Sequence, residues 1–150
     1  MKFRTLALAA VVFAITVPTG SGAQEATGIV AYRETAMKAL GAHSGALKSI
    51  LTDQTQLMDQ VGIHARAIAD IAAAIPAMFP EDSLDPPTEA LPSIWEDPDG
   101  FQAAADRLAK LAGDLDAAAG SGDAQASLAA FAAMGKDGCG GCHADYRKKN

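Results

Sequence analysis

Apolar residues recur along the chain at three- and four-residue steps, and no stretch alternates every second residue. That period belongs to helices. From about residue 27 to residue 50, Ile29, Val30, Met37, Leu40 and Leu47, continued by Leu51, mark one face of a first helix. Gly41 and Gly45 weaken it by about 1 kcal/mol each relative to alanine. Spaced four apart, they would also let a neighbour approach closely. A second helix is expected from Asp53, a good cap with Gln56 three residues on. Its stripe is Leu57, Val61, His64, Ile68, Ile71 and Ile75, a heptad seam that Pro76 ends. A connection rich in proline and acid follows, "PAMFPEDSLDPPTEALP". It is long for a loop and is expected to pack or to cover something. Asp97-Pro98 caps and starts a third helix, with Phe101, Leu108, Leu111 and Leu115 inward. Asp123 caps a fourth, which carries Leu128, Phe131 and Met134 and runs unevenly through Gly135 and Gly138. Four helices with two short links predict an all-α fold, an antiparallel up-down-up-down four-helix bundle.

The first 23 residues follow a different pattern. Lys2 and Arg4 precede an apolar run from Leu6 to Val17, then Pro18, Gly20 and the small residues Ser21 and Ala23. This is the pattern of a secretory leader cleaved after Ala23. The run is too short to span a bilayer, which weighs against an uncleaved anchor. The domain is then residues 24–150, periplasmic and not inserted in a membrane. Removing the leader takes two cations and no anions, so the net charge goes from −6 to −8. So acidic a chain should avoid nucleic acid and anionic lipid, and charged partners should be basic. Arg147, Lys148 and Lys149 make a local exception.

The only two cysteines lie near the end, in "CGGCHADYRKKN". On a helical turn Cys139 and Cys142 share a face, and His143 follows at once. This spacing suits two thioether bonds to the vinyl groups of one c-type haem, with the imidazole as an iron ligand. A thioredoxin-type dithiol would follow a strand, and no strand pattern exists here. A zinc site would need a fourth ligand. The expected cofactor is therefore one covalent haem c.

In an up-down-up-down bundle, the start of the first helix and the end of the last share one end. At about 1.5 Å per residue, the partner of His143 on the first helix falls near residues 33 to 37. The sequence there is "RETAM". Met37 can face the haem opposite His143, as a sixth ligand or as a cover. Arg33 can pair with a propionate. Met58 and His43 lie too far along the bundle, His64 sits on the apolar seam, and Met78 is the reserve candidate.

These residues resemble a known family, the class II c-type cytochromes: cytochrome c′ and its low-spin relatives. The likeness spans residues 24–150 and is carried by "RETAMKALG", "TEALPSIWED" and the C-terminal "CGGCHADYRKK". It implies that Cys139 and Cys142 are the thioether cysteines and His143 the proximal ligand. It further implies that Arg33, Glu34, Thr88 and Glu89 touch the haem and that Arg147 lines its proximal side. One branch of the family leaves the distal iron position open to nitric oxide or carbon monoxide. In the low-spin branch a methionine at the Met37 position ligates iron, and the protein carries single electrons. "AMKALGAH" and "IWEDPDGF" resemble the low-spin branch more, so the expectation is an electron carrier rather than an enzyme. Gas binding is the alternative. Redox proteins are the expected partners, and homodimerisation is compatible with the Gly41/Gly45 pair.

Overall fold

A computed structural model describes residues 26–52, 56–84 and 87–149. The leader pattern at residues 1–23 and the expected cap Asp53 lie outside the described residues. Among the described residues there is no strand, only helices and one isolated bridge. The bundle is formed by α1 (Gly28–Thr52), α2 (Val61–Ala74), α4 (Pro98–Gly120) and a composite last rod. Short 3₁₀ turns, Met58–Gln60 and Pro76–Met78, flank α2, and α3 (Ser93–Glu96) precedes α4. The rod consists of α5 (Ala124–Ala133), a π-helical stretch Met134–Gly140 and α6 (Gly141–Tyr146). This is the four-helix arrangement that the periodicity predicts.

Local chemistry accounts for the boundaries. The Asp97 carboxylate accepts from the Gly100 amide at 3.1 Å, with Pro98 in the first helical position where no donor is needed. Asp123 accepts from the amides of Gln125 and Ala126 at 2.9 and 3.0 Å, which starts α5. The core joins Leu40, Leu47 and Ile50 of α1 to Val61, Ala65, Ile68 and Ala72 of α2. Phe101, Ala105, Leu108, Ala112 and Leu115 of α4 and Met134 of the π stretch complete it. Burying each large aliphatic side chain contributes roughly 1.5–3 kcal/mol.

Three expectations need correction. Leu57 is 51% exposed and lies ahead of a 3₁₀ turn, because α2 begins only at Val61. Leu128 is 39% exposed, so α5 turns Ser127 inward instead. Gly41 and Gly45 face open space where a Cβ would point, so among the described residues no neighbouring segment uses the close approach they offer. Gly138, by contrast, is a glycine that a neighbour does use. A Cβ there would stand 2.9 Å from Leu108 Cδ1, where α4 presses on the π stretch.

Among the described residues, no helix is long and apolar enough to cross a membrane.

Candidate functional site

The cysteine–histidine motif straddles a change of helix type. Cys139 lies in the π stretch Met134–Gly140, while Cys142 and His143 lie in α6. The expectation of one regular turn is corrected accordingly. A π turn holds more residues than an α turn, so it changes the angle at which a following side chain leaves the rod. Both thiols are free and half-buried. Burial pushes the Cys139 thiol up. Burial, with Cys139 and Asp145 nearby, pushes Cys142 up to about 11. A redox-active dithiol needs a depressed thiol pKa, and these lie on the wrong side of the ordinary value.

His143 is exposed at the start of the final helix turns. Partial desolvation and the nearby Arg147 charge lower its pKa, against an opposing pull from Glu89. Both leading effects favour a neutral ring, the form that ligates a metal. Arg147 does not continue the helical face of His143. The α6 helix stops at Tyr146, and Arg147 is extended, with φ −125° and ψ 140°. It pairs with Glu89, Nε to Oε2 at 2.6 Å. The tail is bound to the connection by backbone as well. The Leu91 amide donates to Tyr146 O at 3.1 Å, and the Lys148 amide to Glu89 O at 2.8 Å. Glu89 therefore sits beside the histidine end of the motif.

Arg33 is almost fully buried, at 2% exposure. Its guanidinium donates to Ser83 Oγ at 2.9 Å, Ser83 O at 2.6 Å and Thr88 Oγ1 at 2.7 Å. It also lies over the Phe79 ring, 4.8 Å from the centroid. One charged side chain of α1 thus organises the proline-rich connection. Asp82, at φ 61°, makes the turn that presents Ser83, a conformation aspartate tolerates better than most residues. Phe79 meets Phe101 edge-on at 5.1 Å, and Trp95 Nε1 donates to Phe79 O and Pro80 O at 3.1 and 3.0 Å. Arg33 and Thr88 are thus brought together, and Glu34 neighbours Arg33 without taking part in these three hydrogen bonds. Sequence reasoning missed Ser83. Its signal was available: a buried arginine needs acceptors, and Ser83 follows the acidic turn of a connection expected to cover something.

Met37 is half-buried on α1 and packs on the same core that Cys139, Cys142, Phe79, Trp95 and Tyr146 flank. Met134 is buried in that core, and Met78 is buried elsewhere, at 3% exposure. The α1 helix packs mainly on α2 and touches α5 and the Pro76–Met78 turn, whereas α4 packs on the π stretch and α6. The donor set fits a covalent haem: two half-buried thiols three residues apart and an adjoining imidazole whose surroundings favour the neutral form. A separate open cleft beside Trp95 is lined by Glu81, Asp82 and Glu96 and contains none of these donors.

Comparisons with known proteins agree with this chemistry. The family model described as cytochrome C' matches residues 28–147. A cytochrome c′ from Pararhodospirillum photometricum is 40% identical over 120 residues, covering 79% of this chain and 95% of that protein. A cytochrome c-556 from Agrobacterium fabrum is 38% identical over 133 residues, covering 86% and 87%. Among solved structures, the nitric oxide complex of a cytochrome c′ variant from Alcaligenes xylosoxidans superposes with a TM-score of 0.72. It is 28% identical, over 81% of this chain and 94% of that one.

Proposed function

The chain belongs to the cytochrome c′ family, whose members carry one covalently attached c-type haem, and from that membership we propose that it binds a diatomic gas, nitric oxide first among the candidates. The observation that carries this reading is the nitric oxide complex of a relative with the same fold, 94% of whose chain is matched. When bound, the haem supplies an iron centre able to take a gas molecule or a single electron.

The chain's own residues have these parts in the proposal. Cys139 and Cys142 hold the group by thioether bonds. His143 supplies a ring whose surroundings favour its neutral form. Met37, half-buried on the same core, would cover the group without binding the metal and exclude water from it. Arg33 fixes the connection through Ser83 and Thr88, so that Phe79 and Trp95 stand as a wall. Glu89 holds Arg147 beside His143, and Glu34 shares the start of α1 with Arg33. Export through residues 1–23 to the periplasm is part of the proposal and rests on the leader pattern. No substrate turnover is proposed.

A second reading rests on Met37 itself, a half-buried sulfur on the core that both cysteines flank. In it Met37 is the sixth ligand and the protein carries electrons to redox partners, with cytochrome c-556 as a relative. One experiment separates the two. Under the gas-binding reading, carbon monoxide shifts the ferrous absorption spectrum strongly. Met37→Ala then leaves the resting spectrum unchanged and speeds gas entry. A wild-type spectrum that carbon monoxide barely alters, and that Met37→Ala converts to a carbon monoxide-sensitive form, overturns the proposal and establishes the second reading.

A further inference from the structure

The chain has three histidines, and only His143 belongs to the cysteine motif. The other two, 21 positions apart, meet where α1 packs on α2. His43 Nδ1 stands 2.9 Å from His64 Nδ1, the ring centroids are 5.2 Å apart and the ring planes are tilted by 54°. Both rings are half-buried, so two helices hold them while one side stays open to water.

At rest this contact is one hydrogen bond: one Nδ1–H donates and the other Nδ1 accepts. Its geometry has a second use. An imidazole nitrogen binds a first-row metal at about 2.0–2.1 Å. Two such nitrogens in cis positions of a square or octahedral ion are then about 2.9 Å apart, and on a tetrahedral ion about 3.3–3.4 Å. The separation between the two Nδ1 atoms therefore already equals the square or octahedral value.

We propose that His43 and His64 form a two-nitrogen site for a divalent transition-metal ion that favours square geometry, copper(II) foremost. The rings pivot so that both Nδ1 lone pairs converge on one point at the open side. The donor ring's proton moves from Nδ1 to Nε2 through water, so no net proton is released and nothing is oxidised or reduced. Water completes the coordination, because no group of three or more histidine, cysteine or acidic side chains suited to a metal occurs among the described residues. Copper(II) also leads the usual affinity order over nickel and zinc. With only two protein ligands, the site suits a reversibly bound ion rather than a permanent structural one.

The test is a copper(II) titration of the ferric holoprotein, read by electron paramagnetic resonance in the region of the copper signal. One equivalent is expected to bind with splitting from two imidazole nitrogens. Losing a group behind a ligand already costs 10–100-fold in metal affinity, so losing a ligand should cost about 10-fold or more. His43→Ala and His64→Ala should each weaken binding by that amount and leave one nitrogen in the pattern. Zinc(II), which requires the rings to spread, should bind more weakly than copper(II). A wild-type spectrum with one or no imidazole nitrogen overturns the proposal without any variant. So does a pattern that survives both substitutions, which would place the metal elsewhere on the chain. An unchanged haem spectrum in each variant shows that it has folded, and His64→Gln preserves the size of the side chain if alanine does not.

Discussion

Arg33 shows how far one side chain can determine a wall of the molecule. It is a cation taken almost wholly out of water, and what offsets that cost is three short hydrogen bonds into a segment 50 and 55 residues away. Bonds to a charged group contribute about 1.5–3 kcal/mol, and an acceptor left buried without a partner costs about 1–3 kcal/mol. Arg33→Met should therefore lower unfolding free energy in urea by about 2–4 kcal/mol. The connection around Ser83 should become sensitive to limited proteolysis in the same variant. A loss below about 0.5 kcal/mol would mean that the guanidinium was not holding the segment. The surface pairs Lys110–Asp114 and Arg66–Asp116 carry no comparable weight, because their charges stay largely in water.

At the level of elements, the contrast between two glycines is a direct reading of packing. Gly113 lies in α4 with open space where a Cβ would point, so Gly113→Ala should stabilise the protein by roughly 0.5–1 kcal/mol. At Gly138 the same change drives a methyl group into Leu108, and overpacking costs about 1–3 kcal/mol. Thermal unfolding of the two variants should move in opposite directions, and a shift of the same sign in both would refute this account of the α4 contact. The helix starts at Asp97 and Asp123 were legible in the sequence, because a cap is a local bond between neighbours. So was the unevenness after Met134, which glycines signalled. The π form itself was not, since it depends on which carbonyl each amide reaches. Leu57 and Leu128 were misplaced because a stripe tells which residues can face a core and not where a helix begins. Ala65, Ala72, Ala105 and Ala112 were passed over, although each is buried, because alanine suits either side of a helix. In the candidate site, the cysteines and His143 are proposed from spacing alone. The partners of Arg33 could not be read in that way, because they come from a segment whose path no periodicity describes.

For the whole molecule, the acidic balance separates the functional readings in a second way. The chain carries a formal charge of −6, while Arg147 and the lysines at 148 and 149 cluster at the motif end. A diatomic gas is neutral, and its entry feels no such field. Gas association rates should stay flat between low and high ionic strength when followed by stopped-flow absorption. An electron carrier meeting a charged protein would instead slow or quicken as salt screens the approach.

The tail and the connection also share a fate. Peptide groups near Glu89 and Leu91 are bonded to those near Tyr146 and Lys148, so neither strip can leave without the other. Everything between them, from α3 to α6, lies inside that loop. In deuterated water, the amides of Leu91 and Lys148 should therefore lose protection together, as a single opening unit. The last few residues before the chain's end thus act as a latch on a segment more than 50 positions earlier.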